Sequence, residues 1–408
     1  MRENFNTPFA AVTDIMHLAG RTSTVDDFKA DFTWQLDAHG QPDYKCLHIH
    51  GTKVSIDVLR AGVHSLLVHL KAQLASHVLL GLQPIKNCFS NIKDDYQNAN
   101  EGYSFLDDKR NSHLFPLDEL KCFIESNEEL SKQFLDPLDR ERMNLSRLRQ
   151  WVDTTEDFLG SLLALIHLTS GQPGRAPELS TLLFRNRPNA SRNLFVMYET
   201  LVFIPSYNKT RSVKGTDTYV PRFLATEVSA ILLQFLVTVR PFLVYVHSLL
   251  ISSYAIYLIH DADSSKLYNA YLYVRQGKRM DIDQIRYNFN AANLQFLNLD
   301  IGMADFRHII QAFTEKHLIK YVPSVTSELQ AGHSVETGQT MYARSTQDCP
   351  GINRQGLVSF RLMSIQWQHL LSLSQNVSSV SSQSSGNPFV GIRNENHLID
   401  ISPLQGKF

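Results

Sequence analysis

Four short segments of this chain place a cationic or nucleophilic side chain beside a Gly-bearing turn, a hairpin or a helix end. Guanidinium groups are planar and permanently charged, so they suit the nonbridging oxygens of a phosphate group. A tyrosine hydroxyl can act as a nucleophile when neighbouring groups activate it. Residue types of this kind are candidates for a chemical site. In chain order the candidate residues are Arg175, Lys209, Arg307, His333 and Tyr342.

The order of the motifs resembles that of a known family. An Arg-x-x-Glu motif follows a Gly-Gln-Pro-Gly turn, and a lysine lies in a hairpin-like segment. An Arg-His pair then lies on a helical pattern, and a Gly-His motif precedes a tyrosine by nine residues. This set resembles the tyrosine recombinases, or phage-integrase family. Over roughly residues 5–375, and most clearly in 102–111, 168–175 and 330–334, the chain looks like the recombinase-like domain of fungal mobile-element proteins, which is often joined to a RecQ-like helicase.

The resemblance implies a mechanism and a role for each residue. Tyr342 would attack a DNA phosphodiester and form a 3′-phosphotyrosyl link, which conserves the bond energy for rejoining and requires no ATP, metal or other cofactor. Arg175 and Arg307 would clamp the phosphate, and His333 would hydrogen-bond to it. Lys209 would protonate the departing 5′ oxygen. The expected activity is DNA cleavage and rejoining, as in site-specific recombination or transposition.

Three positions depart from the family pattern or have alternatives. The family usually has His or Lys three residues before the second arginine, and this chain has Ala304. His308 points about 100° round the helix from Arg307 and does not simply replace that group. Lys214 is an alternative to Lys209 as the hairpin lysine. A catalytically inactive recombinase-fold module that binds DNA or assembles a larger protein is therefore the alternative function.

Glu178 lies one turn after Arg175 and has two interpretations. As a neighbour of the arginine it could orient the guanidinium group. As an acidic residue in the first turn of a helix it would also be stabilised by the helix dipole. We take Glu178 and His308 as candidates that support the residues in contact with the phosphate.

A basic stretch supplies the candidate DNA surface. Residues 173–222 contain eight basic side chains against three acidic ones, although the whole chain has a net charge of −1. Clustered cations bind the phosphate backbone, and such binding weakens steeply with salt. The expected partners are double-stranded DNA, further copies of this chain on DNA and, through the resemblance, a RecQ-like helicase, and the expected location is the nucleus. The candidate DNA-binding residues are Arg185, Arg187, Arg192, Arg211 and Lys214.

The sequence predicts a mainly α fold with a small antiparallel β-sheet, in the two-domain arrangement of tyrosine recombinases. We expect a helical, clamp-like N-terminal domain over residues 1–136, a catalytic domain over 137–375 and a Ser-rich flexible tail over 376–408. Hydrophobic periodicity and breaker residues predict the main elements. Expected helices cover 55–82, 116–134, 138–169 and 226–260, the last divided at Pro241, and expected strands cover 193–200, 201–207 and about 216–220.

Other sites are not supported by the sequence. Cys46, His48 and His50 alternate as in a short strand and have no second ligand pair at useful spacing, so we expect no metal site. No GxxxxGK[ST] motif occurs, so a helicase would be a separate polypeptide or a continuation after the tail. The apolar run from 242 to 259 just reaches transmembrane length, but its serines, tyrosines and histidine favour a buried core helix.

Overall fold

The computed structural model describes residues 32–86, 89–139, 142–205, 219–254, 262–318 and 354–373. Over these residues the protein is mainly helical and has small antiparallel sheets, which confirms the predicted fold class in its coarse form. The two-domain recombinase architecture stays a prediction. The proposed tail over 376–408 lies outside the described residues.

The first described elements form a three-stranded antiparallel sheet, of which the sequence analysis expected only a short strand around 46–50. Strands β1 (Phe32–Leu36), β2 (Pro42–Ile49) and β3 (Thr52–Ser55) lie in that order. Trp34 packs edge-on against Tyr44 of β2 and Phe313, which belongs to a helix much later in the chain. The sequence analysis expected only the short strand around 46–50 in this otherwise helical region, because the rest of the sheet depends on contacts distant in sequence.

Helix α1 (Ile56–Gln73) follows the sheet directly, as its capping signals predict. Ser55 caps it by accepting a hydrogen bond from the backbone N–H of Val58, and the helix continues as one π-turn over Leu74–Val78. Its buried face includes Leu59, Val63 and Leu66. The predicted range 55–82 thus agrees with the start of the helix.

Two predicted helices have different starts or breaks in the structure. The helix expected over 116–134 is split into α2 (Glu119–Ser126) and α3 (Glu128–Phe134), because Asn127 caps the second. The helix expected from 138 begins later, as α4 (Leu145–Thr169), with Asn144 as its cap. In both cases an Asn side chain accepts hydrogen bonds from the first turn of the following helix.

Helix α4 crosses the centre of the core. Trp151 donates its indole N–H to the carbonyl oxygen of Val78, and Phe158 stacks on Phe235. Buried side chains of α1 and α4 belong to one hydrophobic cluster. The described residues on the two sides of position 136 therefore share a core, and a domain boundary at that position stays a prediction.

A second small sheet lies close to α4. Strands β4 (Leu194–Met197), β5 (Thr200–Phe203) and β6 (Arg222–Phe223) are antiparallel and lie in that order. The sheet itself was predicted, and of the third strand expected at about 216–220, residues 216–218 lie outside the described residues. The short helix α5 (Ala176–Ser180) lies between α4 and this sheet in the chain.

Helices α6 (Thr226–Gln234) and α7 (Arg240–Tyr254) are joined by a π-turn over Phe235–Val239. The predicted division at Pro241 falls one residue after the start of α7, and the proline is accommodated there at the second position of the helix. Within the described ranges, one helix, Thr226–Ser252, is long and apolar enough to cross a membrane, and 78% of its most apolar window is buried in the protein. This burial agrees with the expected core helix over the described part of the 242–259 run.

The remaining described elements complete the fold around α4. Helix α8 (Ala262–Ala270) leads into a hairpin of β7 (Val274–Arg275) and β8 (Lys278–Arg279), which the sequence analysis did not predict. Helices α9 (Ile282–Ala292), α10 (Met303–His317) and α11 (Arg354–Leu370) follow. The π-turn over Asn293–Leu297 extends α9 and lies against α1.

Close packing of α1 against that π-turn gives a direct test of the core. A Cβ atom added to Gly62 would lie 2.4 Å from Cγ of Leu297 and 3.0 Å from the carbonyl oxygen of Phe296. Gly→Ala in an unconstrained helix stabilises by up to about 1 kcal/mol. We expect Gly62→Ala instead to lower the free energy of unfolding by about 1–3 kcal/mol, as overpacking does. Urea denaturation measures the difference, and a gain in stability would contradict this packing.

Candidate active site

The turn that precedes Arg175 is formed where α4 ends. The helix stops at Thr169, and Gly171 adopts a positive φ of 95°, which favours glycine. Arg175 then occupies the N-cap position of α5 in an extended conformation. The predicted break and the position of Arg175 at the start of a helix both match the sequence analysis.

This turn, residues 170–174, is held by three other elements. Gln172 donates from Nε2 to the hydroxyl of Thr314 on α10 at 2.9 Å, and its carbonyl oxygen accepts from Nε of Arg222 on β6 at 3.0 Å. The carbonyl oxygen of Ser170 accepts from the hydroxyl of Ser364 on α11 at 3.0 Å. Because the turn is tied to α10, β6 and α11, it fixes the backbone from which Arg175 projects.

Glu178 pairs with a buried arginine that the sequence analysis did not assign to the site. Oε2 of Glu178 lies 3.2 Å from an Nη atom of Arg222, which is 5% exposed. Burial lowers the pKa of Arg222, whereas the carboxylate of Glu178 raises it. A Cβ atom on Gly174 would lie 2.9 Å from Oε2 of Glu178. The turn therefore passes close to the ion pair, and a side chain at this position would require the Glu178 carboxylate to shift.

Arg307 joins the same group of charges from helix α10. Its side chain is half-buried, and burial lowers its pKa. The positive charge of Arg175 lowers the pKa of Arg307 further, and the carboxylate of Glu178 opposes the shift. The two arginines that the motifs predicted are thus close enough to interact electrostatically. We call Arg175, Glu178, Arg222 and Arg307 the arginine cluster.

The helix that carries Arg307 also carries the departure from the family pattern. Ala304 and His308 are both exposed on α10, whereas Arg307 is half-buried. The exposed position of His308 agrees with the expectation that it points away from Arg307. Neither position therefore supplies an imidazole group next to Arg307.

A buried histidine lies beneath the arginine cluster. His167 on α4 is 2% exposed and packs against the rings of Phe289 and Phe306, and Phe306 directly precedes Arg307 in the sequence. Burial lowers the pKa of His167 to about 3, and the charges of Arg222 and Arg307 lower it in the same direction. The imidazole is therefore neutral at physiological pH. His167 lies on an apolar face of α4, so the sequence pattern did not indicate that it would be part of a site.

A small cavity lies between His167 and the ion pair. His167, Ser170, Glu178 and Arg222 line its polar side, and Leu179 and Phe203 contribute apolar walls. Among the residues that the structure describes, no group of three His, Cys, Asp or Glu side chains could hold a metal ion.

The candidate residues outside the cluster have different outcomes. Lys209, Arg211, Lys214, His333 and Tyr342 lie outside the described residues, so their roles stay predictions. Arg192 is buried and forms an ion pair with Asp94, whose side chain is 1% exposed. It therefore lies inside the protein rather than on a DNA-binding surface, and its assignment as a DNA contact does not match its position.

Two other basic residues are accessible but engaged. Arg185 contacts both carboxylate oxygens of Asp107 at 2.7 Å and is partly exposed. Arg187 donates to the hydroxyl of Tyr271 at 2.8 Å and lies over its ring. Their surface positions are compatible with contact to a phosphate backbone, which stays a prediction for both.

No protein-family model and no solved structure matches this chain. The resemblance to tyrosine recombinases therefore depends on the sequence motifs and their order.

The buried imidazole predicts a specific dependence of stability on pH. The pKa of His167 is lowered to about 3 in the folded protein. Between pH 6.5 and pH 3 the imidazole therefore binds a proton in the unfolded chain but not in the folded protein. This residue should therefore make the folded state about 2 kcal/mol less stable at pH 5 than at pH 7. Urea denaturation at both pH values should show that His167→Gln loses this part of the pH dependence. The exposed His39 provides the control variant His39→Gln, and equal pH dependence of wild type and His167→Gln would contradict the assignment.

Proposed function

We propose that this protein cleaves and rejoins DNA strands through a 3′-phosphotyrosyl intermediate, as in site-specific recombination or transposition of a mobile element. The observation that carries the proposal is that Arg307 lies within electrostatic range of Arg175 and Glu178, although these residues are distant from it in the sequence. The turn before Arg175 is also bonded directly to the helix of Arg307 through Gln172 and Thr314. Two cationic groups are thus presented by elements that hold each other in place.

The charge on these groups suits the proposed chemistry. Attack on a phosphodiester places additional negative charge on the nonbridging oxygens, and preorganised cationic donors stabilise that charge in the transition state. Guanidinium groups keep their positive charge even where burial lowers their pKa, because the ordinary value is above 12. Arg175 and Arg307 therefore serve as the phosphate clamp in this proposal.

The remaining roles come from the resemblance. Tyr342 serves as the nucleophile, His333 hydrogen-bonds to the phosphate, and Lys209, with Lys214 as its alternative, protonates the leaving oxygen. The substrate is double-stranded DNA, and several copies of the chain act together on it because recombination exchanges strands between duplexes. Action in the nucleus and cooperation with a RecQ-like helicase belong to the same proposal.

A second function is favoured by the surface of α10. Ala304 stands where the family has a proton-handling side chain, and His308 is exposed rather than directed into the cluster. A protein with the same phosphate site but without efficient chemistry would bind DNA or assemble a larger complex. The two functions differ in one observable, the formation of a covalent protein–DNA bond.

The test is capture of that covalent bond. The full-length protein is incubated with end-labelled nicked duplexes of randomised sequence, and adducts that resist denaturing gel electrophoresis are counted. We expect an adduct with wild type and none with Tyr342→Phe. Arg175→Ala and Arg307→Ala should each slow adduct formation about 100- to 1000-fold, as loss of one preorganised donor does.

The matched control is Tyr287→Phe, which removes the same hydroxyl from a tyrosine that is 72% exposed on α9. It should form the adduct at the wild-type rate. An adduct that persists in Tyr342→Phe would overturn the choice of nucleophile. Salt-sensitive DNA binding without any adduct in the wild-type protein would instead favour the inactive module.

A further inference from the structure

Arg222 is the member of the arginine cluster that no motif assigns to the chemistry. It lies on β6, the third strand of the second sheet, and its side chain is buried. Nε donates to the carbonyl oxygen of Gln172, one Nη donates to that of Val220 at 3.4 Å, and the other pairs with Glu178. Arg222 therefore contacts the turn before Arg175 and the helix after it at the same time.

We propose that Arg222 is a positioning residue for the phosphate site: through Glu178 and the turn at 172–174 it fixes Arg175 beside Arg307, so that one oxyanion meets both guanidinium groups. This inference rests on the proposed function in that it takes Arg175 and Arg307 as the phosphate clamp. It adds a residue that acts on the clamp from inside the protein and does not itself contact the ligand.

The burial of Arg222 decides between a direct and an indirect role. Only 5% of the residue is exposed, and its guanidinium group donates to two carbonyl oxygens and to Glu178. A phosphate ligand would have to displace these acceptors to reach it. An effect of Arg222 on phosphate binding must therefore pass through the groups that it holds.

Arg222 and Glu178 both lie close to the backbone next to Arg175. The backbone at Gly174 lies against the ion pair, since an added Cβ would be 2.9 Å from Oε2 of Glu178 and 3.4 Å from Cζ of Arg222. Gly174 directly precedes Arg175, and the N–H of Glu178 donates to the carbonyl oxygen of Arg175 at 2.9 Å. The ion pair therefore lies next to the backbone at Gly174, and the residue that carries its carboxylate is hydrogen-bonded to the backbone of Arg175.

Glu178 also determines the balance of charge around the clamp. Its carboxylate opposes the mutual repulsion of the guanidinium groups, because its negative charge acts on both Arg222 and Arg307. If Arg222 did not hold it, Glu178 could turn towards Arg175 or Arg307 and compete with a phosphate for their donors. The ion pair thus keeps the Glu178 carboxylate close to Arg175 and Arg307 but bound to Arg222.

A second buried ion pair in the same chain supplies a matched control. The side chains of Arg192 and Asp94 are 2% and 1% exposed, and Asp94 also accepts from the backbone N–H of Val196 on β4. This pair stabilises the loop before β4, and its other side-chain hydrogen bonds within the described residues go to Leu194, Asp95 and Val196 rather than to the turn at 170–174. Breaking either pair leaves a buried charge and should destabilise the fold.

The experiment measures the affinity of the full-length protein for inorganic phosphate at constant ionic strength, by calorimetry. We expect Arg222→Met to lower stability and to weaken phosphate binding at least 10-fold. Arg192→Met should lower stability in the same way but bind phosphate as wild type does. Arg222→Lys keeps the positive charge without the forked contacts, so its affinity should also stay at least 10-fold weaker.

The double variant Arg222→Met with Glu178→Met separates positioning from folding. Removing both partners leaves no unpaired buried charge and does not change the net charge, so the urea midpoint should recover most of the loss. The affinity for phosphate should remain at least 10-fold weaker than that of wild type. Recovery of wild-type affinity in this double variant or in Arg222→Lys would overturn the inference.

Two further outcomes also bear on Arg222. Equal loss of affinity in Arg192→Met and Arg222→Met would show that reduced stability alone weakens binding, and would overturn the positioning role. Failure of the wild-type protein to bind phosphate would overturn it as well. The titration requires no strand cleavage, so phosphate binding without a covalent DNA adduct would contradict the proposed enzyme and leave the role of Arg222 supported.

Discussion

The ion pair between Glu178 and Arg222 is the interaction on which the site depends. Guanidinium groups that approach each other in a partly buried place repel, and burial makes each charge more costly. A carboxylate among them offsets that cost, and here it is held by a buried arginine whose other donors bind backbone carbonyls. Arg175 and Arg307 can then approach the same region from two different elements.

The scaffold around this pair is built at the end of helix α4. The last carbonyl groups of a helix lack partners within the helix. Here those of Leu168 and Thr169 accept from Trp367 and Gln368 on α11, and that of Ser170 accepts from the same helix. Helix α11 thus fixes the point at which α4 gives way to the turn before Arg175. In the sequence, the segment with His333 and Tyr342 runs from α10 to α11, the two helices bonded to this turn.

The sequence could predict what depends on neighbouring residues. The cap at Ser55, the break after α4 and the position of Arg175 at a helix start all follow from local signals. The burial of Arg192 was not predictable, because its partner Asp94 is distant in the chain and a basic stretch looks the same whether exposed or buried. His167 and Arg222 were missed for a related reason: their environment exists only when α4, β6 and α10 pack together.

The central claim is that Arg175 and Arg307 form one oxyanion site, and a crystal structure of the protein soaked in sodium tungstate tests it most directly. Tungstate is a tetrahedral oxyanion whose metal atom is located by its anomalous scattering. The account predicts a tungsten peak with oxygen atoms within hydrogen-bond distance of both guanidinium groups and with Arg222 still paired to Glu178. A peak that contacts only one of the two arginines, or guanidinium groups directed to separate faces of the protein, would contradict it.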